Sequence, residues 1–264
     1  MTKSIVRHIS LSLCALVASA CLDTADPVEA NFALLNMHST LEGTEFRVSP
    51  VALFFRAGGV ILPSSNRTQD ICAEVAFPNN PQLENLDHLD AGPFVTATVS
   101  GTEATLLPIS LGTVETYELG GGSIPINPGD TVEFTIPTST AVLTATSGEA
   151  MTAEAFTPGD VTVVASSPDP TEFTWTEPEE DGSVMALELR FAASGGSEPD
   201  RELLCFLADD GSALISSALL TNFAASDLRL SKATRQRITT IEGVNTVMHI
   251  TSTLEMPVTV NVTP

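Results

Sequence analysis

MHITSTLEMPVTV, residues 248–260, is the most regular stretch of the chain. Met248, Ile250, Leu254, Met256, Val258 and Val260 share one parity, while His249, Thr251, Thr253, Glu255 and Thr259 share the other. Successive side chains of a strand point to opposite faces, so this alternation predicts a strand with one buried face and one polar face. His249 then belongs to the solvated side. Pro257 offers no N–H to a ladder and predicts an edge strand or a bend.

The same period of two recurs upstream. Ile71 to Phe77 alternates, as do Val95, Ala97 and Val99, then Val132, Phe134 and Ile136, then Leu187, Leu189 and Phe191. Val51 to Phe55 is a short apolar run, and Glu172-Phe-Thr-Trp-Thr176 opens a further group of strands. These runs are rich in Val, Thr and Leu, which suit a pleated, half-buried surface. Between them stand turn clusters: Gly58-Gly59, Gly120-Gly-Gly122, Asn127-Pro-Gly-Asp130, Glu179-Glu-Asp-Gly182 and Asp209-Asp-Gly-Ser212. Two stretches break the pattern: Pro81 to Leu89, a loop or short helix, and Ser216 to Phe223, one or two helical turns with a Ser N-cap. The fold class that follows is all-β, antiparallel and sandwich-like. Ser166-Ser-Pro-Asp-Pro170 reads as a linker between two tandem modules, 32–166 and 167–264.

Composition narrows the function. The chain is 43% apolar, enough for a true core, with 11 Lys+Arg against 33 Asp+Glu. Without the two basic residues of positions 1–20, 9 Lys+Arg face 33 Asp+Glu, a formal charge of −24. Such a surface repels phosphate, so nucleic acid is excluded as a partner. Arg229, Lys232, Arg235 and Arg237 hold four of those nine positive charges, and the three arginines share a parity. They read as the solvent face of an edge strand, where charge deters pairing with other chains, or as a positive stripe that docks the acidic first domain or an acidic partner.

The first 21 residues, MTKSIVRHISLSLCALVASAC, supply an address. Lys3 and Arg7 form a positive head, Ile9 to Ala18 is mostly apolar, and small residues lead into Cys21. Val17-Ala18-Ser19-Ala20-Cys21 resembles the lipobox of bacterial lipoproteins, with Ala18 where Leu is commonest. The resemblance implies a signal peptide over 1–20, a lipid on Cys21 and a lipid-anchored tether over 21–31. Leu22, rather than Asp, follows the cysteine, and in that family this implies the outer membrane, facing the periplasm or the cell surface. Cys72 and Cys205 would then share an oxidising compartment, either bridged or as two separate thiols.

A second resemblance lies in the body. An aromatic-Trp strand (Phe173-Thr-Trp175), an acidic Gly turn, a long alternating strand and a Cys strand ending in Asp209-Asp-Gly211 resemble immunoglobulin-like or fibronectin-type-III sandwiches. With Asp70-Ile-Cys72, Leu89-Asp-Ala-Gly-Pro93 and Pro128-Gly-Asp130, the order is similar to that of bacterial surface lipoproteins built from such domains. What this implies is an architecture with a buried Trp175; it carries no activity over.

Chemistry-bearing residues are sparse. His38, His88 and His249 are isolated, and none pairs with a Cys or another His at metal-ligand spacing. There is no Gly-x-Ser-x-Gly elbow, and Gly120-Gly-Gly-Ser123 is not followed by Lys. Glu180, Asp181, Asp209 and Asp210 are weak calcium candidates, since their spacing lacks the alternation of a calcium loop. No cofactor is expected. The favoured function is a non-catalytic structural, binding or assembly module of the cell envelope, not an enzyme, with the membrane and an envelope protein as partners. The alternative is a secreted hydrolase-type enzyme or a calcium-dependent adhesion module, its site assembled from scattered carboxylates such as Glu133, Glu188 and Asp209.

Overall fold

The computed structural model describes residues 28–60, 70–76, 87–111, 114–140, 143–164, 168–192, 196–220, 228–242 and 246–263. The expected signal peptide, Cys21 and the tether as far as residue 27 lie outside the described residues, as does most of Pro81 to Leu89. The described chain is nearly all strand, with one four-residue helix, α1 (Ser217–Leu220). The rest of the run expected to be helical, residues 221 to 223, lies outside the described residues. The Ser217 hydroxyl of α1 donates to the Pro168 carbonyl at 2.9 Å.

The described chain falls into two compact units. One takes residues 28–60, 87–153 and 237–253; the other takes 70–76, 154–236 and 254–263. This differs from the expected linear division at residue 166. The last two long strands, β16 (Leu228–Glu242) and β17 (Thr246–Pro257), each contribute residues to both units. A Pro/Ser break in sequence marks an exposed connection, whereas unit membership follows from strand pairing, which is non-local. The tether is also shorter than expected, because β1 (Val28–Glu42) already begins at Val28.

The first unit starts from a long antiparallel hairpin of β1 and β2 (Glu45–Val60). Its ladder closes at Glu42↔Glu45 around Gly43, whose φ of 67° lies in the left-handed region that favours glycine. Beyond β2 follow β7 (Val114–Leu119), β6 (Thr102–Leu111), β5 (Val95–Val99), β9 (Thr131–Ile136) and β10 (Thr146–Met151). The short β4 (Asp87–His88) and β8 (Ile124–Ile126) also pair with β2, while β17 and then β16 lie beyond β1. Gly148, on terminal β10, has so little room that a Cβ would come 2.5 Å from Ile241 Cδ1 and 3.5 Å from Met248. Terminal β10 therefore faces β16 and β17, and the strands of the first unit enclose their core in a sandwich-like arrangement.

That core draws on the alternating runs of the sequence. Val95, Ala97, Val99, Val132, Phe134, Ile136 and Met248 are all buried within one apolar cluster with Leu35, Met37 and Phe54. Tyr117 packs edge-on against Phe54, with ring centroids 5.4 Å apart. Its hydroxyl accepts from the Ala91 amide at 3.0 Å and lies 3.0 Å from the Gly92 carbonyl and 3.2 Å from Asp90 Oδ1. Burial pushes this phenol up to about 12, so it stays a neutral donor. Tyr117→Phe should cost about 1–2 kcal/mol, because it leaves the buried Ala91 amide without its acceptor. Thermal unfolding of the variant checks this.

In the second unit β13 (Ser183–Phe191) pairs antiparallel with β14 (Arg201–Ala208), and β14 with the edge strand β3 (Ile71–Ala76). β16 lies on the far side of β13. Two small sheets complete it: β11 (Val161–Val164) with β18 (Val260–Thr263), and β12 (Thr171–Thr174) with β15 (Ser212–Ile215). Leu187 opposes Cys205 and Leu189 opposes Leu203, all of them fully buried. Trp175 is buried against Phe173, their ring centroids 5.0 Å apart.

Candidate functional site

Charged side chains concentrate in the interior of the second unit, in two groups. The first follows from parity on β13. Glu188 and Arg190 stand two residues apart and share a face. Register puts Glu202 of β14 directly opposite Arg190. Arg190 Nε lies 3.1 Å from Glu202 Oε1 and its guanidinium also pairs with Glu188. From β16, Lys232 Nζ lies 3.3 Å from Glu188 Oε2 and 2.6 Å from Glu255 Oε2 of β17. The result is a row of alternating sign, Glu202–Arg190–Glu188–Lys232–Glu255, crossing four strands. Its centre is the driest point, with the Glu188 side chain 3% exposed against 24% for Glu255. Burial pushes the Glu188 carboxyl up to about 7, against the opposing pull of Lys232 and then Arg190.

The second group is centred on Arg235, which is fully buried. Its Nε donates to Asp209 Oδ2 at 2.8 Å and its Nη2 to Asp209 Oδ1 at 3.1 Å. The remaining donors reach the Ala155 and Thr176 carbonyls at 3.0 and 2.5 Å. The guanidinium carbon lies 5.1 Å from the centre of the Phe156 ring. Asp209 also accepts from Trp175 Nε1 at 2.7 Å and Ser183 Oγ at 2.5 Å. Four donors fill the lone-pair capacity of one carboxylate. Asp209 therefore has nothing left to offer a cation.

This corrects two expectations. Arg235 does not belong to a solvated stripe, nor is Lys232 exposed, because both faces of β16 are covered from Lys232 to Gln236. Nor is Asp209 a calcium ligand in waiting. Glu180, Asp181 and Asp210 are exposed, and among the described residues no three His, Cys, Asp or Glu side chains come together to hold a metal ion. Glu133 is exposed on β9, Glu188 serves two cations of the row, and Asp209 serves Arg235.

His249 is the third correction. It is fully buried, its Nδ1 lies 3.1 Å from Thr240 Oγ1, and its ring stacks on Phe32 at 6.3 Å. Phe32 in turn stacks on Phe55 at 5.5 Å. Burial lowers the imidazole below its usual range, which keeps it neutral. The polar parity of β17 is not solvated, because β17 lies between β1 and β16 with both faces covered from Met248 to Leu254. Pro257 is the last residue of that strand, so an interior strand accommodates it without losing a ladder bond.

The structure joins Cys72 to Cys205, across the β3–β14 ladder where the two residues are register partners. A shallow cleft of about 300 Å³ in the first unit is lined by Glu149, Ala150, Met151, Arg237 and Thr239. It brings together one carboxylate and one guanidinium, with no nucleophile and base side by side.

Neither charged group stands out along the sequence. The available signal is opposite charges on the polar parity of predicted strands: Glu188 and Arg190 in one run, Lys232 in another. What is missing there is the order of the strands. The described residues define an all-β, sandwich-like protein with two groups of charged side chains inside its second unit. No family model, curated protein or solved structure matches the chain.

Proposed function

We propose that this chain is a lipid-anchored, non-catalytic module of the bacterial cell envelope, held at the outer membrane through Cys21 and serving a structural, binding or assembly role. The observation that carries this reading is the N-terminal run from Lys3 to Cys21, with its positive head, apolar stretch and small residues before the cysteine. Two features of the body support it. A disulfide is at home in an exported chain. In the second unit the buried carboxylates Glu188, Glu202 and Asp209 are each engaged with cations inside the fold, which suits a scaffold better than a reacting centre. The strong negative charge argues against nucleic acid and favours an envelope protein as the partner. In the finer reading, the units descend from immunoglobulin-like or fibronectin-type-III sandwiches, with Trp175 as the buried tryptophan.

Cells expressing the protein and fed labelled palmitate test the anchor. The wild type should carry label and sediment with membranes, and Cys21→Ala should do neither. An unlabelled wild type found freely soluble after export would overturn the proposal.

A further inference from the structure

The row of alternating charge holds three carboxylates and two cations, all five on one sheet face of the second unit. With every member ionised it carries one uncompensated negative charge. An excess charge in a poorly solvated interior is costly, and the cheapest remedy is a proton on the member most removed from water. That member is Glu188, which lies between Arg190 on its own strand and Lys232 on β16. Glu202 of β14 faces Arg190, and Glu255 of β17 faces Lys232. These are the charged groups that the described neighbouring strands bring to it.

We propose that this row is a proton-operated latch: the sheet of β14, β13 and β16 is tightest when the row holds one proton, and it loosens when that proton leaves. A proton on Glu188 leaves Arg190 to Glu202 and Lys232 to Glu255, two neutral pairs flanking a neutral acid. Loss of the proton puts a third carboxylate charge between them, and hydrating that charge requires the strands to part. The direction follows from the carboxyl lying near 7 in the fold against 4.5 when unfolded. Its stabilising contribution is complete below the unfolded value and is lost as pH rises through the folded one. The latch therefore opens toward alkaline pH.

Hydrogen exchange of the full chain between pH 5 and 8, corrected for intrinsic rates, reads this directly. In the wild type the opening equilibrium of β13, β14 and β16 should rise by roughly fifty- to a hundredfold across that range. Glu188→Gln, which imitates the protonated acid, should hold the change in those strands within about threefold. Carbon-13 titration of the glutamate carboxyls in the wild type gives an answer that needs no variant, with one carboxyl expected to titrate near neutrality. Parallel exchange profiles in the two proteins, or no glutamate titrating above the ordinary range, would each overturn the latch.

Discussion

Arg235→Met is expected to unravel the second unit, costing on the order of 4–6 kcal/mol and lowering its melting temperature by about 10–20 °C. The methionine keeps most of the apolar stem but removes every donor. Asp209 is then left as a buried charge without its counter-ion, which by itself costs about 3–5 kcal/mol. The Ala155 and Thr176 carbonyls lose their partner as well, so the sum lies toward the upper end. Arg235→Lys should rescue little, since an ammonium cannot span both Asp209 oxygens and two carbonyls in one plane. Arg235→Met combined with Asp209→Asn should recover about half of the loss, because the stranded charge is gone. The chain carries its own reporter: Trp175, the single tryptophan, donates to Asp209. Urea unfolding followed by its fluorescence gives all three values. A methionine variant within about 1 kcal/mol of the wild type would mean that Arg235 does not hold the unit together.

Loss of the Cys72–Cys205 bridge should have the next largest effect, about 3–5 kcal/mol. The bond closes a loop of 133 residues, and a cross-link over so long a loop removes much of the freedom of the unfolded chain. In the fold it fastens an edge strand that is held by its ladder to β14 and by few buried side chains. Of the six residues of β3 only Cys72 and Val75 are partly buried, the other four being exposed. Asp70 adds one bond, accepting the Ala208 amide at 2.9 Å. Cys72→Ser with Cys205→Ser should shift the urea midpoint down, and a reducing agent should shift the wild type by the same amount while leaving the double variant unmoved. A reductant that leaves the wild-type midpoint where it was would refute the assigned role.

Much of the local structure is legible in the residues. The alternation at Val95–Val99, at Val132–Ile136 and at Leu187–Phe191 names the strands and the side chains that fill the core, since a strand has only two faces and apolar residues take the covered one. Cys72 and Cys205 are visible as candidates for a bridge, but pairing needs two strands side by side, which spacing alone does not give. The candidate calcium ligands fail at Asp209 for a related reason: a carboxylate in a turn looks available until the chain returns, 26 residues later, with Arg235.

Residue order is enough to establish a strand protein, many of its turns and the apolar parity of strands such as β5, β9 and β13, because these depend on neighbours within a few residues. Gly58-Gly59, expected as a turn, instead lies inside β2, and Ile71 and Ala73 of β3 are exposed. The order of the strands in the sheet comes from long-range pairing, and with it comes the fate of the polar parity. His249, Lys232 and Arg235 read as solvated because half-buried sheets normally put such residues in water. They are buried because both faces of β16 and β17 are covered there, from Lys232 to Gln236 and from Met248 to Leu254. There a charge must find an opposite charge or lose its own, and that requirement, invisible along the chain, built the Arg235–Asp209 pair and the row through Glu188.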